Sequence, residues 1–495
     1  MPENDKKPQQ KESVENLAKR RGIYYPAFNI YSEIGGFYDY GPIGLRIKNN
    51  LISMWRNMFV EPLNCYEVDT TIINPEPVFK ASGHLSSFTD PVTRCTSCKT
   101  AHRADKLLEE FYTKKGDMTS IGRLEKMNNE QLAEDLKANG IKCPKCGNAT
   151  FGPIETFNLL FKTAIGASGT EPGYLRPETP QAIFVDFKYL FRTYGMKLPT
   201  AIAQTGKVFR NEISPRQQLV RLREFSQMDV ELFFDPSDAS SMLEGPDFND
   251  VLKEEIPFLG HGKDKEEAAT IGSLLEKGII PNRHFALLLF VENRFVLAAG
   301  IKQGRYRFRH VEVTPHYSKC NFDLEVNTAN GYIELSGLAY RTDYDLSSHA
   351  KVSGEDLAIE NNGKKIVPHV VELSIGVDRP LFAILDNALE SGEDRGWVWL
   401  RLPEKLAPYE YGIFPLQKDD KLAEKAKALY TRMRSNGVSC YYSDAGSIGK
   451  RYARADEIGV PKCITIDYQS LEDDTVTIRA RDTAQQVRKK SGEIA

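Results

Sequence analysis

The run from Arg221 to Phe234 divides into two kinds of residue by parity. Its even positions are Leu222, Glu224, Ser226, Met228, Val230, Leu232 and Phe234. Its odd positions are Arg221, Arg223, Phe225, Gln227, Asp229, Glu231 and Phe233. Successive side chains of a β-strand point to opposite faces. From Ser226 onward one face is therefore largely apolar core, and the other is mostly polar with two aromatics. Alone, such a strand reads equally well as the wetted side of an antiparallel sheet. The habit recurs, however. Ile202 to Glu212 places Gln204, Gly206, Arg210 and Glu212 on one face, and a loop with Pro215, Gln217 and Gln218 turns the two runs into an antiparallel hairpin. Asn321, Asp323, Glu325 and Asn327 alternate with Cys320, Phe322, Leu324 and Val326. Tyr332, Glu334 and Ser336 alternate with Ile333 and Leu335, and Glu372, Ser374 and Gly376 stand opposite Val371, Leu373 and Ile375. Several strands thus share a face of acids, arginines and small residues, where a wetted sheet would show Lys and Thr. That face is expected to be a binding floor.

The last of these strands runs through Gly376-Val377 into Asp378-Arg379-Pro380 and a helical pattern of Leu381, Ile384, Leu385, Ala388 and Leu389. Asp378 suits an N-cap and Pro380 a first turn. Arg379 then lies at the positive end of a helix, where a cation is mildly disfavoured. It is either a snorkelling surface residue or the partner of an anion, such as a phosphate, held there.

A chain of 495 residues exceeds one core, so two to four domains are expected. Residues 1–20 are charged, lack aromatics before the turn-rich text begins, and read as a loose arm. A helix over Leu45 to Phe59, closed by Pro62, lies in a first core segment, 21–92. Residues 93–150 look inserted, with CxxC at each end and a charged helical middle. The core resumes over 151–235, pauses at a second, helical insertion over 236–282, and continues over 283–402. From a linker near Pro403 to Pro408, residues 403–495 alternate strand, helix, strand, helix, strand, strand, helix, which describes a small mixed α/β domain.

Lys plus Arg (65) nearly balances Asp plus Glu (68), which excludes a histone-like basic protein but leaves room for a local basic face. Apolar runs such as Phe285 to Val291 are too short to span a membrane, and Met1 to Lys11 has no apolar stretch of a secretory signal. A cytoplasmic protein without membrane contact is expected. Cysteine usage fits a reducing compartment. Cys95-Thr96-Ser97-Cys98 and Cys143-Pro144-Lys145-Cys146 have the spacing of a four-cysteine zinc ribbon with an unusually long intervening loop. Structural zinc and four reduced, unliganded thiols are the two readings. Cys65, Cys320, Cys440 and Cys463 read as core residues. The histidines form no HxH or HExxH pattern and receive no chemistry.

These residues resemble class II aminoacyl-tRNA synthetases. Phe209-Arg210-Asn211-Glu212, a loop and Arg221-Leu222-Arg223-Glu224-Phe225 are similar to motif 2 of that class. Gly376-Val377-Asp378-Arg379 is similar to motif 3, and the helix ending at Pro62 to motif 1. The likeness is tighter still to the homodimeric glycyl-tRNA synthetase family. It is carried by Gly36-Phe37-Tyr38-Asp39-Tyr40-Gly41-Pro42, His102-Arg103-Ala104-Asp105, Leu175 to Gln181, Phe209 to Pro215, Tyr340 to Leu346 and Ser447 to Gly459. It runs from about residue 20 to the C-terminus. Pro180 stands where the family usually has Ala, and Leu373 where it usually has Pro.

The resemblance implies a multidomain α+β fold. An antiparallel β-sheet catalytic core would be flanked by helices, interrupted by insertions and followed by a mixed α/β anticodon-binding domain. It implies a homodimer formed through motif 1. It also implies activation of glycine by ATP to glycyl-adenylate plus pyrophosphate, then transfer to the 3′ end of tRNA(Gly). Carried over residue by residue, Arg210 takes the α-phosphate and the glycine carboxylate, and Arg221 and Arg379 take the β- and γ-phosphates. Phe225 stacks on adenine and Glu212 accepts from its amino group. Arg210, Arg379 and Glu212 are the catalytic set. Asn211, Val220, Leu222, Arg223, Glu224, Glu334, Leu335, Gly376, Val377 and Asp378 complete the ATP site. Mg2+ would accompany ATP, with Glu334 as first protein ligand and Glu325 as second, unless Glu325 simply pairs with an arginine. Glycine falls to Glu178, Arg341, Glu372 and Ser374, flanked by Arg103, Phe225, Ser226, Gln227, Met228, Asp229, Leu373, Ile375 and Gly376. Arg103 otherwise braces the cysteine insertion. Lys450, Arg451 and Arg454 would contact tRNA, or form an ordinary solvated helix face.

Two rivals remain: a non-catalytic binding subunit, expected to lose the phosphate arginines, and a proline or histidine enzyme of the same class, which the acid-rich pocket argues against.

Overall fold

The computed structural model describes the chain except residues 1–11, 32–33, 125, 214, 216–217, 239–240, 313, 315–316, 392–394 and 495. Among the described residues a nine-stranded sheet forms the centre. Its order is Glu267–Thr270, Glu255–Leu259, Tyr306–His310, Cys320–Thr328, Gly331–Thr342, His369–Gly376, Glu224–Phe234, Thr200–Phe209 and Tyr66–Val68. Neighbours are antiparallel except Glu255–Leu259 beside Tyr306–His310 and Thr200–Phe209 beside Tyr66–Val68, which run parallel. The expected hairpin has Phe209 opposite Glu224 and Gln204 opposite Asp229. Arg221 to Arg223 precede the strand rather than belong to it.

One face of this sheet meets the helices Pro42–Trp55, Arg283–Ala298 and Asp378–Ala388. Met228, Val230, Leu232, Leu373 and Ile375 join that continuous apolar core. The opposite face carries Pro180–Thr193, whose Ile183, Phe184 and Phe187 pack on Phe233 and Ile202. The rest of that face stays open and polar.

Four expectations change. The arm read over 1–20 lies outside the described residues up to residue 11, but Val14–Arg21 is a helix. Ser13 caps it, and Leu17 and Ala18 are buried. The segment 236–282 is not only helical: beside the short helices Phe248–Lys253 and Ile271–Glu276 it lends two strands to the edge of the main sheet. Its polar composition hid strands as short as Glu267–Thr270. The chain's end forms the strand Gln486–Lys490, all exposed, where a helix was expected. Finally, Val377 rather than Asp378 occupies the cap position of the Asp378–Ala388 helix, and no side chain caps it.

The cysteine insertion has its own core, built from the helices Ala104–Lys115, Met118–Leu124 and Asn129–Ala138. The strand Thr89–Arg94 pairs with both Ala101–Arg103 and Glu155–Asn158, closing the insertion onto the core. The C-terminal domain has a five-stranded sheet ordered Cys440–Tyr442, Tyr411–Pro415, Lys462–Ile466, Thr475–Ala480 and Gln486–Lys490.

The start of the Pro42–Trp55 helix lies against backbone. Pro42 occupies its first position, as a fixed φ favours. A Cβ on Gly44 would stand 1.9 Å from the carbonyl oxygen of Ile23. In an isolated helix Gly44→Ala would stabilise by up to about 1 kcal/mol. Here the backbone must retreat, so a net loss of about 1–3 kcal/mol is expected from overpacking. A urea midpoint that stays level or rises in Gly44→Ala would contradict this close approach.

Candidate functional site

A cavity of about 360 Å³ opens on the polar face of the sheet. Arg210, Glu212, Gln227, Asn321, Asp323, Glu334, Ser336, Glu372, Ser374 and Gly376 all line it. Strand parity had placed each of these residues on one floor; Ser336 departs from it, its hydroxyl donating to the buried Glu292 carboxylate behind the sheet. Arg221, Arg379, Glu178 and Phe225 line it too.

Three guanidinium groups share this space. Arg210 follows the strand Thr200–Phe209. Its Nε donates to the carbonyl of Pro177 at 3.1 Å, and its guanidinium lies 5.5 Å from the ring centre of Phe88 and 5.4 Å from that of Phe225. Arg221 lies 3.9 Å from the Glu212 carboxylate. Arg379 spans two elements: its Nε donates to the carbonyl of Val220 at 2.8 Å, and Nη1 to that of Glu334 at 3.1 Å. Each therefore has partners that aim it while much of its charge remains uncompensated. Such a set suits a polyanion.

Asp378 beside Arg379 has another task. Its carboxylate accepts the backbone N–H of Ser226 at 2.7 Å and the Tyr40 hydroxyl at 2.5 Å, and Lys48 lies 3.6 Å away. Lys48 also donates to the Ser226 hydroxyl at 2.8 Å. Ser226 is thus a structural tie.

The inner end of the cavity is dense in acids. Arg341 is buried, with Nη1 2.6 Å from Glu372 and Nε and Nη2 at 2.6 and 2.7 Å from Asp345. Tyr317, which also lines the cavity, lies against its guanidinium at 4.2 Å. Glu178 accepts from Gln181 Nε2 at 2.8 Å. Gln227 Nε2 donates to Ser374 Oγ at 3.2 Å, and Asp229 accepts the buried Thr179 hydroxyl. Burial pushes the Glu372 carboxyl up to about 8 despite Arg341, and burial pushes Asp229 up to about 7. Burial acts the same way on Glu178, but His84 and Arg341 outweigh it and hold that carboxyl below the ordinary range. Acids raised by burial beside one that is lowered suit a small cation.

At the outer end, Glu334 is 53% exposed at its side chain and 3.9 Å from Arg379. Glu325 is corrected: it sits between Arg307 at 2.8 Å and Arg309 at 2.7 Å and does not line the cavity. Asp323 does. Burial, then Glu334, pushes its carboxyl up to about 7. Parity does keep the two acids on one face, with Glu325 opposite Glu334, but Arg307 and Arg309 occupy the Glu325 carboxylate. Opposite Asp323 stands Gly337, where a Cβ would meet nothing within 4 Å. Two hard oxygen donors crowded enough to retain a proton fit a divalent cation such as Mg2+.

Other expected residues fall elsewhere. Arg103 pairs with Asp90 at 3.0 Å and Asp105 at 2.5 Å, bracing the insertion, and is not at the cavity. Arg223 spends its donors on the carbonyls of Glu212 and Gly35. Glu224 pairs with Lys207 at 2.8 Å, and neither Glu224 nor Asn211 lines the cavity. Met228, Leu373, Ile375 and Val377 are buried in the core on the far face. Val220, Leu222 and Leu335 do line the space. So do Leu219, Asn321 and Tyr317, which carried no assigned role in the sequence; Tyr317 lies outside any alternating run, so no pattern marked it.

Away from the cavity, the Sγ atoms of Cys95, Cys98, Cys143 and Cys146 lie within 4.8 Å of one another. Cys95 to Cys146 is 3.5 Å and Cys98 to Cys143 is 3.7 Å. Four sulfurs at tetrahedral corners about 2.3 Å from a zinc ion would be about 3.8 Å apart. The donor set and spacing fit that ion. In the C-terminal domain Arg451 is buried, donating to the carbonyls of Pro415, Asp444 and Gly446, so it has no free face for phosphate. Lys450 is exposed; Arg454 donates to Ala445. A second cavity, about 530 Å³, is lined by Arg46, Tyr409, Tyr430, Arg434, Tyr441 and Tyr442 among others.

Residues 161–388 match the tRNA synthetase class II core domain (G, H, P, S and T), and residues 410–495 match an anticodon binding domain. Glycine--tRNA ligase of Methanocaldococcus jannaschii is 36% identical, over 98% of this chain and 97% of its own length. That of Aeropyrum pernix is 37% identical, over 98% and 95%. A solved structure of Giardia lamblia prolyl-tRNA synthetase in complex with prolyl-adenylate superposes with a TM-score of 0.59 at 14% identity, covering 97% of this chain and 75% of that one; it shares the fold. Identity at the level of the two ligases, sustained along nearly the whole of both lengths, settles descent: the chain belongs to the glycine--tRNA ligase family of the class II aminoacyl-tRNA synthetases.

Proposed function

We propose that the cavity activates glycine with ATP and passes the glycyl group to tRNA(Gly). The observation that carries this reading is that Arg210, Arg379 and Glu372 line one space of about 360 Å³. Glycine enters at the acidic end. Its ammonium meets Glu178, Glu372 and the Ser374 hydroxyl, and Arg341 holds Glu372 in place. Its carboxylate faces Arg210. ATP lies toward the outer end: adenine on Phe225 with Glu212 at its amino group, the α-phosphate at Arg210, the β- and γ-phosphates at Arg221 and Arg379. The carboxylate oxygen attacks the α-phosphorus, the bond to the bridging oxygen breaks, and pyrophosphate leaves with that electron pair. The terminal ribose hydroxyl of tRNA then attacks the adenylate carbonyl and AMP leaves. Neither step needs a protein nucleophile; both need aligned reactants and fixed positive charge. Mg2+ would be held by Glu334 and Asp323 and would neutralise phosphate charge.

Zinc in the four-cysteine site would be structural, because four thiolates leave no open position. For tRNA the groove lined by Arg46, Arg434 and four tyrosines is a better surface than the helix of Arg451, since it combines cations with rings on which bases stack. A homodimer in the cytoplasm fits the family. Among the described residues no helix is long and apolar enough to cross a membrane.

Glu372→Ala is expected to lower glycine-dependent ATP–pyrophosphate exchange by about 10²-fold or more while the fold persists, because Arg341 keeps Asp345. Wild-type exchange in that variant would remove Glu372 from the site. Glycine binding should also release protons near neutral pH. Glu372 and Asp229 are raised in the empty pocket, so they carry protons there, and the arriving ammonium favours their ionised forms. Affinity therefore rises between about pH 6 and about pH 8, and calorimetry in buffers of different ionisation enthalpy reads the protons. Heats independent of buffer would contradict it. Elemental analysis of protein purified without added metal should find close to one zinc per chain, lost in Cys98→Ser; zinc-free protein with an unchanged Tm would favour four free thiols.

A further inference from the structure

His84 has no counterpart in any recognised histidine pattern, yet it reaches the acid pocket. It opens the short helix His84–Ser87, and its Nε2 lies 3.6 Å from Oε2 of Glu178. The other oxygen, Oε1, accepts from Gln181 Nε2 at 2.8 Å. One oxygen of Glu178 is thereby hydrogen-bonded and the other has the imidazole beside it. The ring itself is fixed on every edge. Nδ1 is 2.7 Å from the Ser82 hydroxyl, which lies 3.5 Å from the carbonyl of Phe79. Phe79 and Phe88 meet the ring edge-on at 5.9 and 5.3 Å, and Phe88 in turn faces Arg210. The His84 carbonyl accepts from Asn158 Nδ2 at 3.0 Å. Glu178 is the charged group facing the imidazole; Arg341 and Glu372 lie beyond it, and Arg210 stands behind Phe88.

Ser82, His84 and Glu178 follow the order of a nucleophilic triad, but Ser82 is buried and does not line the cavity, so no nucleophile results. What the contacts do achieve is orientation. A glutamate side chain has three torsions, and Arg341 nearby would draw an unrestrained carboxylate toward itself. We propose that His84 is a positioning residue of the amino-acid pocket: it pins Glu178 so that the remaining lone pairs of that carboxylate point at the α-ammonium of glycine. The inference rests on the glycine-activating reading above. It predicts a loss in glycine binding rather than in nucleotide binding, since His84 touches no residue assigned to the phosphates.

The test is glycine-dependent ATP–pyrophosphate exchange on the full chain with His84→Ala and His84→Gln, measuring KM for glycine, KM for ATP and kcat separately, with Tm followed in parallel. Removing the imidazole beside the Glu178 carboxylate should raise KM for glycine about ten-fold or more in His84→Ala. KM for ATP should stay within about two-fold. His84→Gln retains an N–H near the position of Nε2 and should recover most of the loss, whatever becomes of the alanine variant's fold. An unchanged KM for glycine in His84→Ala overturns the proposal. So does a defect confined to Tm and kcat, or one that Gln does not relieve. Absence of glycine-dependent exchange in the unaltered chain would instead overturn the activity, and this role with it.

Discussion

One buried carboxylate joins the three segments on which the cavity depends. Asp378 takes a backbone N–H from Ser226 on the hairpin strand and a hydroxyl from Tyr40, with the ammonium of Lys48 on the Pro42–Trp55 helix close by. A charge this deep is tolerated only when it is surrounded by donors. Donors from three separate parts of the chain therefore converge on it. Arg379 is the next residue, and its Nε reaches the carbonyl of Val220 on the loop before the same strand. The guanidinium that lines the cavity is thus aimed by a tie buried behind it. This explains why Asp378 faces away from the cap role its sequence position suggests: the helix start gives up a side-chain cap, and the sheet gains a fixed junction.

The acid cluster imposes the opposite requirement. Glu178, Asp229, Glu231, Glu372 and Asp345 lie close together, and Arg341 is the cation among them that bonds both Glu372 and Asp345. Burial pushes Glu231 well above the ordinary carboxylate range, with Glu372 adding to the effect across the strand pair. The cluster therefore carries protons when empty. An incoming ammonium supplies what the protein leaves out, and so a ligand with one small positive group is favoured over a neutral one without any contact to a side chain.

The floor of the site was legible because two faces of a strand obey a period of two, and the core face needed apolar residues at every other position. That logic found Arg210, Gln227, Glu334, Glu372 and Ser374 together. It failed where the period slips: the bulge at Leu335 carries Ser336 to the core face, where its hydroxyl donates to the buried Glu292 carboxylate. It also failed where helical spacing was taken for exposure, since Arg451 satisfies carbonyls at the end of a neighbouring strand instead of facing solvent. Loops left no trace at all. Tyr317 and His84 reach the pocket from segments without regular alternation, and only the packing of distant parts of the chain brings them there. The same holds for the two strands after residue 254, which are too short to carry a period.

Selecting the smallest amino acid asks for walls that do not yield. One added methyl group is worth only about 1–3 kcal/mol in an apolar pocket, and a flexible wall would give back most of that. Here the wall is made of buried polar groups, each tied to a partner. Glu372 is tied to Arg341, Arg341 to Asp345, Glu178 to Gln181, and Asp229 to Thr179. To admit a side chain, one of these groups must move, and moving it leaves a buried polar group without its partner. That costs about 1–3 kcal/mol, and more where the group is charged, in addition to the value of the methyl group. Exclusion by tied polar groups therefore discriminates more sharply than exclusion by hydrocarbon alone. A pocket so rich in acid can be selective for a substrate that offers it no side chain to grip.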